Sequence, residues 1–349
     1  MAAGAVESRP AEPPETDRAD GVFEGGGVKG LAFAGAIAAA ADETGVRTWV
    51  NVAGTSAGSI VAALLVAGFD AQGLREVLER TEYRRFADYG FGGRWIGGLR
   101  NALRSRGIAR GEYFREWLGE RLAESELGNP DATFGDIART DLPADLPEEL
   151  REKARYRLRV IASDITAGRM MVLPDDLRDY SETSNGPPID AGAFKLVDAV
   201  RMSMSFPFFF NPVTLYRDGR AHLIVDGGVL SNFPIWLFDS PNPIKRRTWG
   251  FRLHQGAGPE QPPYHEVPRP VWPIPLAKAI FASATEAWDV RMSEASTVRT
   301  VSIPTGSVKT LNFDLKSEDA DYLYRSGYET AREFFRAEPD YMNSFGRRG

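Results

Sequence analysis

A doubly wound α/β fold is predicted by the order of elements in the N-terminal part of the chain. Val22-Phe23 is a short apolar strand, and Gly25-Gly26-Gly27-Val28-Lys29-Gly30 follows as a glycine turn. Val28 to Asp42 is a nearly continuous helix of Ala, Leu, Ile and Phe. Alanine is the strongest helix former, and small side chains let a helix lie close to a sheet. A second strand at Thr48 to Ala53, a second turn, and a second apolar helix from Ser56 to Val66 repeat the unit. Strand, turn, buried helix, twice over, begins a parallel sheet.

The other elements follow in order. Gly45 and Gly68 stop the first two helices. Asp70 to Tyr83 is amphipathic, with Leu74, Val77 and Leu78 on one face. Tyr89 to Arg110 breaks the pattern with glycines around Phe91, Trp95 and Ile96, and Glu112 to Leu122 resumes a helix. Asp141 to Lys153 reads as polar surface. Arg157 to Ile165 and Met170 to Leu173, joined through Gly168, read as a hairpin. A helix at Lys195 to Ser203 and a strand at Ala221 to Val225 come next. Residues 256–275 are proline-rich and stiff. Helices at Leu276 to Glu294 and Ser317 to Ala337 flank a strand at Val298 to Ile303.

Composition narrows the chemistry. The 349 residues carry 42 basic and 48 acidic side chains, a net charge of −6 that argues against a dedicated nucleic-acid binder. There is no cysteine, so disulfides, thiol nucleophiles and Cys-ligated zinc are out. The three histidines, His222, His254 and His265, have no i, i+4 spacing, so a two-histidine metal helix is excluded; neither metal nor organic cofactor is expected. The most apolar run, Leu31 to Ala41, is about half the roughly 20 residues a bilayer span needs. Residues 1–20 read as a disordered acidic leader with no signal-peptide core, so a cytoplasmic location is expected, with peripheral membrane contact left open.

Three motifs carry chemistry. Gly54-Thr55-Ser56-Ala57-Gly58 is G-x-S-x-G between a strand and a helix, a turn that thrusts a nucleophilic oxygen out above the sheet. Gly25 to Gly30 fits G-x-G-x-x-G. A dinucleotide site also needs an acid at the end of the second strand, where Ala53-Gly54-Thr55-Ser56 stands instead. A phosphate-binding P-loop fails too, because Lys29 precedes the last glycine. What remains is a row of glycine N–H groups able to cradle an anion, which beside a serine nucleophile is an oxyanion hole. Asp226-Gly227-Gly228 puts a carboxylate at a strand end.

In this order the motifs resemble the patatin-like phospholipase family, which pairs a G-G-G-x-[RK]-G loop, a G-x-S-x-G serine and a D-G-[GA] aspartate. The resemblance covers about Gly21 to Asp239, including Ser203 to Phe210 and Ser231 to Ile235, and Leu311 to Leu315 is similar to the C-terminal part of bacterial members. It implies a three-layer α/β/α fold with a largely parallel sheet. The implied divisions are the leader 1–20, a catalytic domain 21–240 and a C-terminal extension 241–349 packed on it. It also implies a lipid acyl hydrolase for phospholipids or lysophospholipids. In that reading Ser56 is the nucleophile and Asp226 the base, and the N–H groups of Gly25, Gly26 and Gly27 form the oxyanion hole. Lys29 replaces the commoner Arg and reads equally as a surface or helix-start cation or as a catalytic one. A Ser-His-Asp esterase using His254 or His265, a lipid-binding or regulatory module with a dormant site, and a nucleotide binder are the competing readings. Asp164 resembles a structural strand end. Arg94, Arg100, Arg104, Arg106 and Arg110 read as a solvated helix face or, beside the aromatic residues, as a membrane-docking patch.

Overall fold

Strand β1 (Arg18–Phe23) begins before the expected start at Gly21, because Asp20 hides it from an apolar reading. Asp20 is 2% exposed, and its Oδ1 accepts from the N–H of Asn51 at 3.0 Å and from Asn51 Nδ2 at 2.9 Å. Arg246 pairs with it at 3.4 Å. The carboxylate serves an N–H at a bulge, where the register shifts between Ala19 and Gly21. Burial pushes the Asp20 pKa up to about 6 against the pull of Arg246 and Asn51.

The computed structural model describes residues 17–86, 111–207, 209–238, 246–254, 299–310 and 313–337. Residues 1–16, the patch from Tyr89 to Arg110, the proline-rich stretch with His265, and the helix expected at Leu276 to Glu294 lie outside the described residues.

The central sheet runs in the order β5-β6-β3-β2-β1-β7-β8, with β4 also pairing β3. Its parallel core is β3 (Leu158–Asp164), β2 (Thr48–Thr55), β1, β7 (Arg247–His254) and β8 (Thr300–Pro304). β4 (Arg169–Leu173), β5 (Val213–Arg217) and β6 (Arg220–Asp226) are antiparallel to their neighbours. The fold class is the expected α/β one, a sheet flanked by helices. β7 lies directly beside β1, however, so the sheet does not stop at the boundary expected near residue 240.

On one face, Phe23 stacks on Phe251 at 5.2 Å and meets Trp49 and Phe33 edge-on. Phe33 belongs to α1 (Leu31–Thr44), which has α7 (Ser317–Ala337) against it. The two backbones all but touch, since a Cβ on Gly35 would lie 2.0 Å from the Tyr324 carbonyl oxygen. α1 is therefore apolar all round because it has a sheet on one side and a helix on another. On the opposite face, Val22 and Ala53 are covered by Phe233 and Ile235, next to the helical turn Ile235–Phe238.

α2 (Ala57–Val66) is buried along its whole length. α3 (Ala71–Glu79) starts at Asp70, which caps Gly73 N–H at 2.8 Å. α4 (Glu112–Glu124) and α6 (Leu196–Ser203) match the sequence expectation closely. α5 (Glu148–Ala154) lies in the stretch read as polar surface. It has no buried residue, and the Glu149–Lys153 pair at 2.9 Å supports it instead of a core.

Candidate active site

The elbow is built by close approach. At the end of β2, Ser56 sits at φ 51°, ψ −125°, and α2 begins at the next residue. A Cβ on Gly54 would fall 2.3 Å from the Gly58 carbonyl carbon, and one on Gly58 would fall 2.2 Å from the Phe23 carbonyl oxygen. No side chain fits at either place, so the two flanking glycines are what allow the strand to turn this sharply into the helix. A non-glycine residue at positive φ costs of order 1–3 kcal/mol, and the surrounding bonds hold it. Ser56 N–H donates to Ser203 Oγ at 2.8 Å, and the Ser56 carbonyl accepts from Ser59 Oγ at 2.5 Å. Thr55 Oγ1 donates to the Ser231 carbonyl at 3.2 Å.

The sheet register brings Asp226 to the same place. β4 occupies one edge of β3 from Val160 to Asp164. The opposite edge pairs with β2 as far as Thr55↔Ile161, and with β6 from Ala162↔Asp226 onward. The C-terminal ends of β2 and β6 therefore meet head-on along one edge of β3. Asp226 is 1% exposed. Its Oδ1 accepts from Gly228 N–H at 2.8 Å, and its Oδ2 is buried with no hydrogen-bond partner among the described residues. Burial pushes its pKa up to about 7, against the pull of the Ser56 hydroxyl and the Gly228 N–H. The Ser56 hydroxyl itself is directed to Met204 Sδ at 3.7 Å. Gly227 lets β6 end flush against β3, since a Cβ there would lie 2.3 Å from the Ile161 carbonyl oxygen.

The glycine loop lies against the serine, with the Cβ position of Gly25 3.2 Å from that of Ser56. Gly25 differs from expectation as an anion donor. Its N–H is spent on the Asn232 carbonyl at 3.2 Å, while Asn232 Nδ2 donates back to the Gly25 carbonyl at 3.2 Å. The N–H groups of Gly26 and Gly27 have no such bond among the described residues. Gly27 has φ 58°, and Val28 N–H anchors the loop to the Thr310 carbonyl at 3.2 Å. Lys29 is no surface cation: it is 5% exposed, and burial pushes its pKa down against the attraction of Glu24. Glu24, also buried, accepts from Leu253 N–H at 2.5 Å and pairs with Arg252 at 3.5 Å. Gly30 closes the loop at the start of α1 with its Cβ position 3.8 Å from Ala57 Cβ, at the head of α2.

The two described histidines stand elsewhere. His222 Nδ1 is 2.7 Å from Asp164 Oδ2, which also accepts from Tyr180 Oη at 2.7 Å. Burial works to raise the Asp164 pKa, but the Tyr180 hydroxyl, the Ala167 N–H and His222 outweigh it and leave the carboxyl below its usual range. Asp164 is thus a strand-end anchor. His254 ends β7, and His265 is outside the described residues. Among the described residues, the groups acting on Asp226 are Ser56 and Gly228, with no imidazole among them. Ser203 and Asn232 are the residues that motif reading passed over, although both fall in the stretches that resembled the family.

Comparison with known proteins adds the following. A family model described as patatin-like phospholipase matches residues 21–239. The uncharacterized protein YqhO of Bacillus subtilis (strain 168) is 36% identical over 225 residues, which is 63% of this chain and 66% of that protein, just under two thirds of its length. VipD from Legionella pneumophila superposes with a TM-score of 0.54 at 19% identity, covering 91% of this chain and 67% of that one. ExoU in its heterodimeric complex with SpcU, from the type III secretion system of Pseudomonas aeruginosa, gives 0.50 at 19% identity, covering 93% of this chain and 52% of the other. At these identities the two structures speak for the fold.

Proposed function

The chain belongs to the patatin-like phospholipase family, and we propose that it hydrolyses carboxylic ester bonds of phospholipids or lysophospholipids through a Ser56–Asp226 dyad. The Ser56 oxygen attacks the ester carbonyl as its proton passes to Asp226. The tetrahedral oxyanion forms against the N–H groups of Gly26 and Gly27, with Gly25 holding the loop in place. Collapse expels the alcohol, which takes the proton back from Asp226 and leaves Ser56 acylated. Water then attacks the acyl-enzyme, Asp226 again receives a proton, and the fatty acid leaves as Ser56 regains its hydrogen.

The observation that carries this reading is Asp226 itself. A carboxylate at its ordinary pKa is a feeble base, but burial beside Ser56 raises this one to about 7, where a general base works best near neutrality. The strained elbow supplies the second half, since it holds Ser56 half-exposed above a buried base. A panel of phospholipids, lysophospholipids and short-chain esters, assayed beside Ser56→Ala and with fluorophosphonate labelling, tests it. Turnover that persists in a folded Ser56→Ala protein refutes the nucleophile. A wild-type protein that binds lipid but is never labelled is a dormant binding module.

A further inference from the structure

We propose that Ser203 is a positioning residue for the nucleophile, an inference that rests on the dyad reading above and deepens it. Ser203 ends α6 and is fully buried. Its hydroxyl makes two bonds, donating to the Ile161 carbonyl at 2.6 Å and accepting from Ser56 N–H at 2.8 Å. Ile161 is the β3 residue opposite Thr55, at the last rung before β2 turns away. The Ser203 oxygen therefore sits between a donor and an acceptor that a continuing parallel ladder would have joined directly. The ladder is bridged at that point by a side chain, and the bridge fixes the peptide that carries Ser56 in its positive-φ turn.

The residues that follow address the rest of the dyad. Met204 Sδ lies 3.7 Å from Ser56 Oγ, and the Ser205 carbonyl accepts from Asp226 N–H at 3.0 Å. One short segment thus holds both reacting residues. The two serines act differently, however. Ser205 reaches the dyad only through its backbone, while its equally buried hydroxyl turns away to Arg201, accepting from Nη1 at 2.6 Å and donating to the Arg201 carbonyl at 3.0 Å. Removing either hydroxyl strips two hydrogen bonds from the interior. Only one of the two removals releases Ser56.

That contrast is the test. The full chain is compared with Ser203→Ala, Ser203→Cys, Ser205→Ala and Ser56→Ala in three measurements: thermal melting, the second-order rate of fluorophosphonate labelling, and kcat and KM on a soluble short-chain ester. Ser203→Ala and Ser205→Ala should lose similar thermal stability. Labelling should slow about 10- to 100-fold in Ser203→Ala, the scale of a misplaced reacting atom, and stay within about threefold of wild type in Ser205→Ala. The Ser203→Ala loss should fall on kcat with KM unchanged. Ser203→Cys keeps the volume but offers a poor acceptor, so it should label slowly too, and it carries the test if the alanine variant does not fold. Wild-type labelling rates in both Ser203 variants, or equal slowing in Ser203→Ala and Ser205→Ala, overturn the assignment while leaving the dyad intact. A wild-type chain that neither labels at Ser56 nor turns over any ester overturns the dyad and this inference together.

Discussion

Replacing Asp226 by Asn should make the protein inactive and, above neutrality, more stable. The carboxyl is buried and its pKa is raised from 3.8 to about 7. In the proposed dyad the base works only when ionised, so hydrolysis should rise about tenfold between pH 6 and pH 8 around a midpoint near 7. Asp226→Asn should lower kcat by about 10²–10⁴-fold at pH 8 and abolish that limb. The stability effect has the opposite sign. A carboxyl whose folded pKa lies above its unfolded one binds protons more tightly in the native state, so its contribution to stability falls as pH climbs from about 4 to about 7 and is flat above. The rise corresponds to about 4 kcal/mol of cost at pH 8, set by the free energy per pKa step. The amide avoids it but brings a buried NH₂ that costs about 1–3 kcal/mol if unpaired. The variant should therefore gain about 1–3 kcal/mol at pH 8 and lose about 1–3 kcal/mol at pH 4. Urea denaturation at both pH values, beside a pH–rate profile on a soluble ester, measures all of this. An acid limb centred near pH 4, or a variant whose stability tracks wild type at every pH, would refute a raised, catalytic Asp226.

Four further outcomes are expected. Ser56→Gly should be inactive but about 1 kcal/mol more stable than Ser56→Ala by chemical denaturation, because only glycine relieves φ 51°. Gly58→Ala should cost at least about 2–3 kcal/mol and abolish labelling, since its Cβ would press on the Phe23 carbonyl; wild-type melting would show that the elbow has slack. Changing His222, His254 and His265 together to Gln should keep most of the hydrolysis while lowering the melting temperature, because Asp164 loses its imidazole partner; a folded but inactive triple variant returns a triad. Charge reversal at Arg100 and Arg104 should weaken hydrolysis of anionic vesicles and leave a soluble ester untouched, with equal losses on both pointing to general damage.

The elbow was legible in the sequence because its physics is local: a strand, a turn too tight for a Cβ at Gly54 or Gly58, and a buried helix leave a readable trace in a few residues. The β3–β4 hairpin and α7 were legible for the same reason, since hydrophobic period and a turn glycine define them. What was hidden depends on partners distant in the chain. β7 escaped notice among Arg246, Arg247 and Arg252, because the acids that pair with Arg246 and Arg252, Asp20 and Glu24, lie at the other end of the chain. Lys29 carries no local sign of burial, because Glu24, the acid buried with it, is itself read as polar surface by pattern alone. Gly25 looked equivalent to Gly26 and Gly27 until Asn232 claimed its N–H.

The same distinction governs the dyad. Ser56 and Asp226 could each be picked out as a strand-end residue, but their meeting requires β6 to run against β3 on the edge that β2 has just vacated, and strand direction is not written in the local pattern. The Ser56 hydroxyl pulls on the Asp226 carboxyl, but it is directed to the Met204 sulfur at 3.7 Å, and one Asp226 oxygen is without a hydrogen-bond partner among the described residues. Their backbones are also tied to a third segment, Ser203 to Ser205, so the alignment of the proposed nucleophile and base depends on how the end of α6 packs against β3. The proposed chemistry should therefore be sensitive to residues that touch no substrate, and these are the positions at which a motif search has nothing to find.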